Sequence, residues 1–529
     1  MKKNKIIHLI WPPLLIYLVY LLSKLVWYDS LSSLANDSVH YLVMARHYSP
    51  WTSESNAIAS AWLLQDFPPF FPWLLAFSGA AHSLLYAHLL VAVMGLISLY
   101  FYYLLACQWL NDRVLAIFPL LVFSLSPGFL LGLQGILSES LYLLLVLIFL
   151  LVYTVERKRS GGQLILVILL LAAIMLTRTT GIALGLAIVA QAFFASIAQK
   201  KLQYQPALIV LASLVLYLLL MALWGPVKQS HYLGILIQYI SGTNLYEAGS
   251  NSPVHFSLLT QLKYQLESWA SFWLIYWKTG GFSASYFVIL LLALASLSGL
   301  FLRLLKNKYD AWYVLFFVLI LLVWPYPGQL FRLVFPIMPL LLIYAGYAIR
   351  KLLELKKENK KKGLLLASFY LTVLAATLPS HAFIHARLAL ASGKQLVPVY
   401  EIFRQSSQYV ASKQLALQNQ MLKDFTHVKD TVPENEKLLY FKPAYLAVLS
   451  DRTGVTAPSP IDETNYRSLS NSSGARYIFL TRLHPRNTRL GYSGFQGIEH
   501  LDGWTKLVWC SQLADGDLAS CLFRIEPAL

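Results

Sequence analysis

The stretch SLLYAHLLVAVMGLISLYFYYLLACQ, Ser83 to Gln108, contains no Asp, Glu, Lys or Arg. About 20 apolar residues suffice for a helix to cross the hydrocarbon core of a bilayer. Runs of this kind recur along the chain. They lie at Ile6 to about Trp27 and near Val114 to Leu131, Ser138 to Thr154, Gln163 to Leu176, Thr179 to Ala198 and Pro206 to Trp224. Others lie near Ser285 to Leu302, Ala311 to Trp324, Leu333 to Ile349 and Gly363 to Leu378. About eleven spans before Pro379 predict an all-α polytopic membrane bundle. From Ser380 to Leu529 the long apolar runs stop, and the sequence reads as one soluble α/β domain of ordinary length. The expected division is therefore residues 1–379 and 380–529. The first run exceeds a cleavable signal's apolar region and no small-residue cleavage motif follows it, so it reads as a retained helix.

Composition agrees with this reading. Of 529 residues, 57% are hydrophobic and 13% charged, against about 45–50% and 25% in soluble domains. A net charge of +17 would in a soluble protein suggest nucleic acid, but its distribution argues otherwise. If the N-terminus is cytoplasmic, the inward connections hold 19 basic and 5 acidic residues, the outward loops 7 and 7, and the tail 16 and 13. This is the positive-inside pattern of a membrane protein. It places the tail on the extracytoplasmic side of the cytoplasmic (inner) membrane and leaves no call for a nucleic-acid partner. Two outward loops are long, at 28–82 and 225–284, and loops on a rigid scaffold are where binding and catalytic groups concentrate. There is no internal repeat, and the one biased segment is the Lys-rich connection Lys356 to Lys362.

In the tail, a helical stretch from about Val399 to Lys423 precedes a turn at Pro433 to Lys437. Strand-like runs follow at Leu438 to Phe441, Tyr477 to Leu480, Lys506 to Trp509 and Leu522 to Ile525. Three cysteines are too few for a disulfide framework. Cys107 reads as core, and Cys510 and Cys521 are either a pair or two free thiols.

Ionisable residues at a membrane edge are costly to hold there and are functional candidates by default. Asp37, in Asn36-Asp-Ser-Val-His-Tyr41, is a candidate general base or a helix N-cap. Glu139, in Leu137-Ser-Glu-Ser-Leu141, is expected at the level of Arg178, in Leu176-Thr-Arg-Thr-Thr-Gly181, and the bland reading is a structural ion pair. Arg332, in Gln329-Leu-Phe-Arg-Leu-Val-Phe-Pro336, offers the planar donor fork that suits phosphate, or it is a snorkelling interfacial side chain. The run Asp66-Phe-Pro-Pro-Phe-Phe-Pro-Trp73 is expected to form a kinked surface element rather than a regular helix.

Taken in order, these pieces resemble the GT-C superfamily of polytopic glycosyltransferases, which includes protein O-mannosyltransferases and the aminoarabinose transferase of lipid A. The resemblance rests on Asp37 with His40, Tyr41 and Ala45, the Pro68 to Trp73 element and Ser138-Glu139-Ser140. It continues with Thr177-Arg178 and Gly181, Arg332 with Phe335-Pro336 and Pro339, and the tail segments Leu438 to Tyr445 and Asp451 to Gly454. It implies transfer of a sugar from a polyprenyl-phosphate donor to a lipid, glycan or protein acceptor outside the cytoplasm, usually with inversion. By this resemblance Asp37 would be the base, Arg178 and Arg332 would hold the lipid phosphate, and Glu139 would orient substrate or pair with Arg178. His40, Tyr41 and Asp66 would line the substrate site. No cofactor is certain from the resemblance, and a divalent metal is possible, since some family members need one and others do not. Two departures separate the chain from the aminoarabinose transferases: Phe67 stands where they place Lys before the Pro-Pro pair, and His88 stands where many relatives carry Arg. Asp37-Ser38 replaces the Asp-Glu pair usual in the protein O-mannosyltransferases, so donor and acceptor are not carried over. A lipid-linked glycan flippase would call for repeats and charged or broken helices at the midplane, and an O-antigen polymerase or ligase would lack the early acidic first loop.

Overall fold

The computed structural model describes residues 12–20, 36–65, 67–153, 161–225, 257–274, 284–324, 330–355, 362–390, 408–458, 460–482 and 494–526. Residues 12–20 are helical. Three short helices follow: α1 (Asn36–His47), α2 (Asn56–Trp62) and α3 (Phe70–Phe77). The apolar helices are α4 (Leu84–Leu110), α5 (Ile117–Ser124), α6 (Pro127–Gly132), α7 (Glu139–Tyr153), α8 (Gly161–Thr177), α9 (Ile182–Gln199) and α10 (Gln205–Trp224). They continue with α11 (Leu258–Trp273), α12 (Ala284–Leu305), α13 (Tyr309–Leu322), α14 (Leu330–Leu333), α15 (Met338–Leu355) and α16 (Lys362–Leu390).

Among the described residues, six helical segments are long and apolar enough to cross a membrane, and α7, α8 and α13 are shorter apolar helices. The expectation of about eleven spans is thus met in kind, as an integral membrane bundle, and not in count. The expected span at Val114 to Leu131 is broken. Ser126 Oγ accepts from the Phe129 amide at 3.2 Å, and Pro127 opens α6, since a residue without an N–H is tolerated at a helix start and not in its interior. The Pro-aromatic element is corrected in the other direction. It enters a helix, α3, because Pro72 falls in the first turn, where its missing N–H would have had no intrahelical partner. The long connection at 225–284 contains α11, an amphipathic helix that buries Gln261, Phe272 and Trp273.

Within the bundle, α12 lies along α15, α9 along α13, α4 against α7 and α8 against α10. Gly299 of α12 lets two backbones meet, because a Cβ there would fall 2.0 Å from the Tyr344 carbonyl oxygen, the small-residue logic of membrane helix packing. The segment Leu330–Glu354 is the most enclosed of the spans and α10 the least. Along α10, Leu208, Leu211, Val215, Leu218 and Leu219 face outward, as lipid-facing side chains would.

The C-terminal region contains α17 (Gln408–Thr431), β1 (Lys437–Tyr440), α18 (Pro443–Leu449), β2 (Thr453–Thr456), α19 (Glu463–Ser473), β3 (Ala475–Thr481), β4 (Thr505–Gln512) and β5 (Leu518–Ile525). The strands form one sheet in the order β2-β1-β3-β5-β4. Pairing is parallel on the β1 side and antiparallel between β3, β5 and β4. The four expected strands are present. Strand β2 was not expected, because Thr453-Gly-Val-Thr456 is too short and too rich in turn residues to show alternation. The cysteine question resolves as a disulfide between Cys510 and Cys521, which stand directly opposite on β4 and β5. Cys107 is free and partly buried.

Candidate active site

Helix α1 begins beside the membrane bundle and carries Asp37 in its first turn, where unpaired backbone N–H groups favour an anion. Its carboxylate does not serve as the cap. Arg332 of α14 donates through Nη2 to Asp37 Oδ2, an ion pair between residues 295 apart in sequence. The same guanidinium reaches Glu139, at the start of α7, with Nε 3.7 Å from Oε1. On the other side of Glu139, Arg178 places Nη1 2.7 Å from that oxygen and donates to Ser138 Oγ at 3.2 Å. Ser138 Oγ lies 3.0 Å from the Tyr41 hydroxyl. Asp37, Arg332, Glu139, Arg178, Ser138 and Tyr41 therefore form one continuous polar chain built from α1, α7, α14 and the α8–α9 turn.

Burial is graded along this chain. Glu139 is 3% exposed, whereas Asp37 and Arg332 are 15% and 21% exposed. Neither Glu139 oxygen has an aligned hydrogen bond, so the deepest carboxylate is held mainly by two positive charges. Burial pushes the Asp37 carboxyl up, but the charge and hydrogen bond of Arg332, with smaller help from His40 and Arg178, outweigh it and hold the group below the ordinary carboxylate value. Asp37 is therefore an anion at neutral pH. Its basicity is restrained for as long as Arg332 remains its partner.

The aromatic wall comes from α1 and α3. Tyr41 meets Phe67 and Phe71 edge-on, each with ring centroids at 5.1 Å. His40 Nδ1 lies 2.6 Å from Gln65 Oε1, and its ring lies 5.6 Å from that of Phe67. Asp66 lies outside the described residues. Glu139 is paired with Arg178, and Arg332 faces Asp37 and Glu139 within the polar chain. Ser138 as a bridge and Gln65 as the partner of His40 were not singled out from sequence. Ser138 stood inside a noted motif, and nothing local marked Gln65.

Among the described residues, no three His, Cys, Asp or Glu side chains stand together as a metal site. Both carboxylates of the polar chain already face guanidinium groups. The described residues of the site do not fit a divalent ion, and no step below is routed through one.

The C-terminal region closes over this end of the bundle. Arg46, in the last turn of α1, donates to the Val448 carbonyl at 2.9 Å and the Ala81 carbonyl at 3.1 Å, and Ser55 Oγ donates to Asp451 Oδ1 at 2.6 Å. Helix α18 and strand β2 thereby rest on α1 and α2.

Comparison with solved structures gives the same architecture. The chain is similar to ArnT from Cupriavidus metallidurans bound to undecaprenyl phosphate, with a TM-score of 0.52 at 12% identity, covering 96% of this chain and 97% of that one. The apo form of the same ArnT gives 0.54 at 11% identity with the same coverage. The Archaeoglobus fulgidus oligosaccharyltransferase tethered to an acceptor peptide gives 0.50 at 11% identity, covering 96% of this chain and 73% of that one. No protein-family model and no curated protein matches the sequence. The chain has the fold of the GT-C membrane glycosyltransferases.

Proposed function

We propose that the chain is an integral-membrane glycosyltransferase that moves a sugar from a polyprenyl-phosphate donor to a lipid, glycan or protein acceptor, with inversion. The observation that carries this reading is the Asp37–Arg332 pair, continuous with Glu139 and Arg178, in a fold shared with ArnT and an oligosaccharyltransferase. In the reaction, Asp37 takes the proton of the acceptor hydroxyl as its oxygen bonds to the anomeric carbon. The bond from that carbon to the phosphate oxygen breaks on the opposite face, and its electron pair leaves with the phosphate. A phosphate leaving group needs positive charge rather than a proton, and Arg332 and Arg178 supply it. A positioned donor at developing charge is worth about 3–4 kcal/mol, and a positioned base about 100- to 10,000-fold in rate. Glu139 keeps the two guanidinium groups at a fixed separation.

Residues 1–379 form the membrane domain in this reading, and residues 380–529 an extracytoplasmic domain over the site. The charge distribution supports a cytoplasmic N-terminus and a site on the outer face of the cytoplasmic membrane. The Cys510–Cys521 disulfide supports an oxidising compartment for the tail.

The test is transfer by the purified full chain in lipid nanodiscs, using a panel of labelled polyprenyl-phosphate sugars and candidate acceptors. Asp37→Asn should reduce transfer by at least 100-fold, about the low end for loss of a general base, with folded yield unchanged. Full activity in that variant removes the base assignment.

A further inference from the structure

Strand β1 ends at Tyr440, and the chain turns through Phe441 and Lys442 into α18. Pro443 at the first position of that helix disfavours helical backbone at the residue before it, and Lys442 accordingly has φ −132° and ψ 73°. Gly454 of β2 holds this corner down, because a Cβ there would fall 2.9 Å from Pro443 Cα. With Arg46 bound to the Val448 carbonyl at the far end of α18, the helix is held by β2 at its start and by α1 at its end.

Lys442 is 9% exposed, and its Nζ has no hydrogen-bond partner. It lies 5.3 Å from the Tyr445 ring centroid and 6.0 Å from that of Phe441, so aromatic faces supply part of its environment. Helix α18 packs on α1, which carries Asp37, and the charge of Asp37 acts on Lys442 and on Tyr445, so Lys442 belongs to the surroundings of the polar chain although it comes from the other end of the sequence. Burial pushes its ammonium down to about 7, against the pull of Asp37. A buried ammonium with no acceptor is unfavourable unless a ligand supplies one.

Charge accounting indicates which ligand. Arg332 and Arg178 are balanced by Asp37 and Glu139, so the four charged residues of the polar chain sum to zero and have no net attraction for an anion. Lys442 in its protonated form adds one uncompensated positive charge. A sugar esterified to a polyprenyl phosphate is a phosphodiester with one negative charge.

We propose that Lys442, delivered by the C-terminal domain, is a ligand of the donor phosphate and completes the site from above. This rests on the reading of the Asp37 site as one of glycosyl transfer from a phosphodiester. When the glycosidic C–O bond breaks, its electron pair adds a second negative charge to the phosphate while the acceptor proton goes to Asp37. Total charge is conserved, and the new phosphate charge develops next to Lys442 and Arg332.

The test is binding of farnesyl phosphate to the full chain in nanodiscs, read by intrinsic tryptophan fluorescence, with farnesol and inorganic phosphate as separate arms. Lys442→Met should weaken farnesyl phosphate binding at least about tenfold (about 1.4 kcal/mol) and leave farnesol binding unchanged, while Lys442→Arg stays within about threefold (about 0.65 kcal/mol) of wild type. Undiminished farnesyl phosphate binding in a folded Lys442→Met protein overturns the proposal, as does equal Lys442-dependent affinity for inorganic phosphate. Lys442-dependent lipid-phosphate binding in a protein that transfers no sugar would sink the transferase reading alone. Normal transfer with Lys442-independent binding would sink this inference alone.

Discussion

Replacing Arg332 with Gln should destabilise the protein in a way that depends on pH. In the native protein Arg332 is the ion-pair partner of Asp37 and also lies 3.7 Å from Glu139. Removing one member of a buried pair costs about 3–5 kcal/mol, and the partial exposure of this one places it near 3. For a chain this long, each kcal/mol shifts Tm by no more than about 2 °C, so the expected drop is at most about 6 °C at neutral pH. The sign with pH follows from Asp37. In the wild type its folded value is depressed, so its stabilisation is present above the unfolded value of about 4 and is lost as pH falls through the lower folded value. Without Arg332, burial is the largest influence left and the weaker attractions of His40 and Arg178 oppose it, so the folded value rises above the unfolded one. The destabilisation is then full at neutral pH and is relieved as pH falls through the raised value. Differential scanning fluorimetry from pH 5 to pH 8 should show the gap between variant and wild type widening as pH rises. Asp37→Asn should cost less, since Arg332 keeps Glu139, and the double variant should recover most of the Arg332→Gln loss. A gap that is constant with pH, or a double variant no more stable than Arg332→Gln, would refute the reasoning.

Two further outcomes follow from packing. Gly454→Ala places a methyl group 2.9 Å from Pro443 Cα and Cβ. Overpacking of this kind costs about 1–3 kcal/mol, and the expected result is a shifted Lys442 with at least a several-fold higher KM for donor and a folded membrane domain; an unchanged KM would mean that the corner yields elsewhere. At the opposite end of the bundle, Asp310 accepts from Arg303 Nε at 2.6 Å and Nη2 at 2.7 Å and from the Tyr344 hydroxyl at 2.8 Å, with the guanidinium 4.1 Å from the Trp109 ring centroid. Asp310→Leu strands a buried guanidinium and should cost about 3–5 kcal/mol. The double variant Arg303→Met, Asp310→Leu should restore folded yield, measured by size-exclusion chromatography in detergent.

What was legible in the sequence depended on the range of the signal. The spans were readable because twenty consecutive apolar residues have little alternative to a lipid environment or a large core. The breaks within them were not, since Ser126 and Pro127 start a new helix through a cap and a missing donor that leave mean hydropathy almost unchanged. Strands β3 and β5 were visible as apolar runs, whereas β2 owes its existence to a parallel neighbour. The Glu139–Arg178 pair was anticipated because two ionisable residues at matched depth in adjacent hairpins have few other partners. The Asp37–Arg332 pair links α1 to a segment nearly 300 residues later, and no local pattern encodes that meeting. Lys442 was hidden for the same reason: a lysine between an apolar strand and a proline is ordinary until the fold packs its helix against α1.

These long-range contacts also bear on how the base is controlled. In the structure Arg332 is shared between Asp37 and Glu139, so its pull on Asp37 is adjustable. On the proposed reading, a phosphate entering between Lys442 and Arg332 draws the guanidinium toward itself, and whatever attraction Asp37 loses raises its basicity, because burial already pushes that way. Lys442 meanwhile gains the acceptor it lacks, which favours its charged form. One anion would therefore strengthen the leaving-group cation and release the base on the opposite face. While Asp37 is held by its arginine, water has no strong base beside it. The acceptor hydroxyl is then activated chiefly when a donor is in place, which ties deprotonation to the presence of the sugar it is to attack.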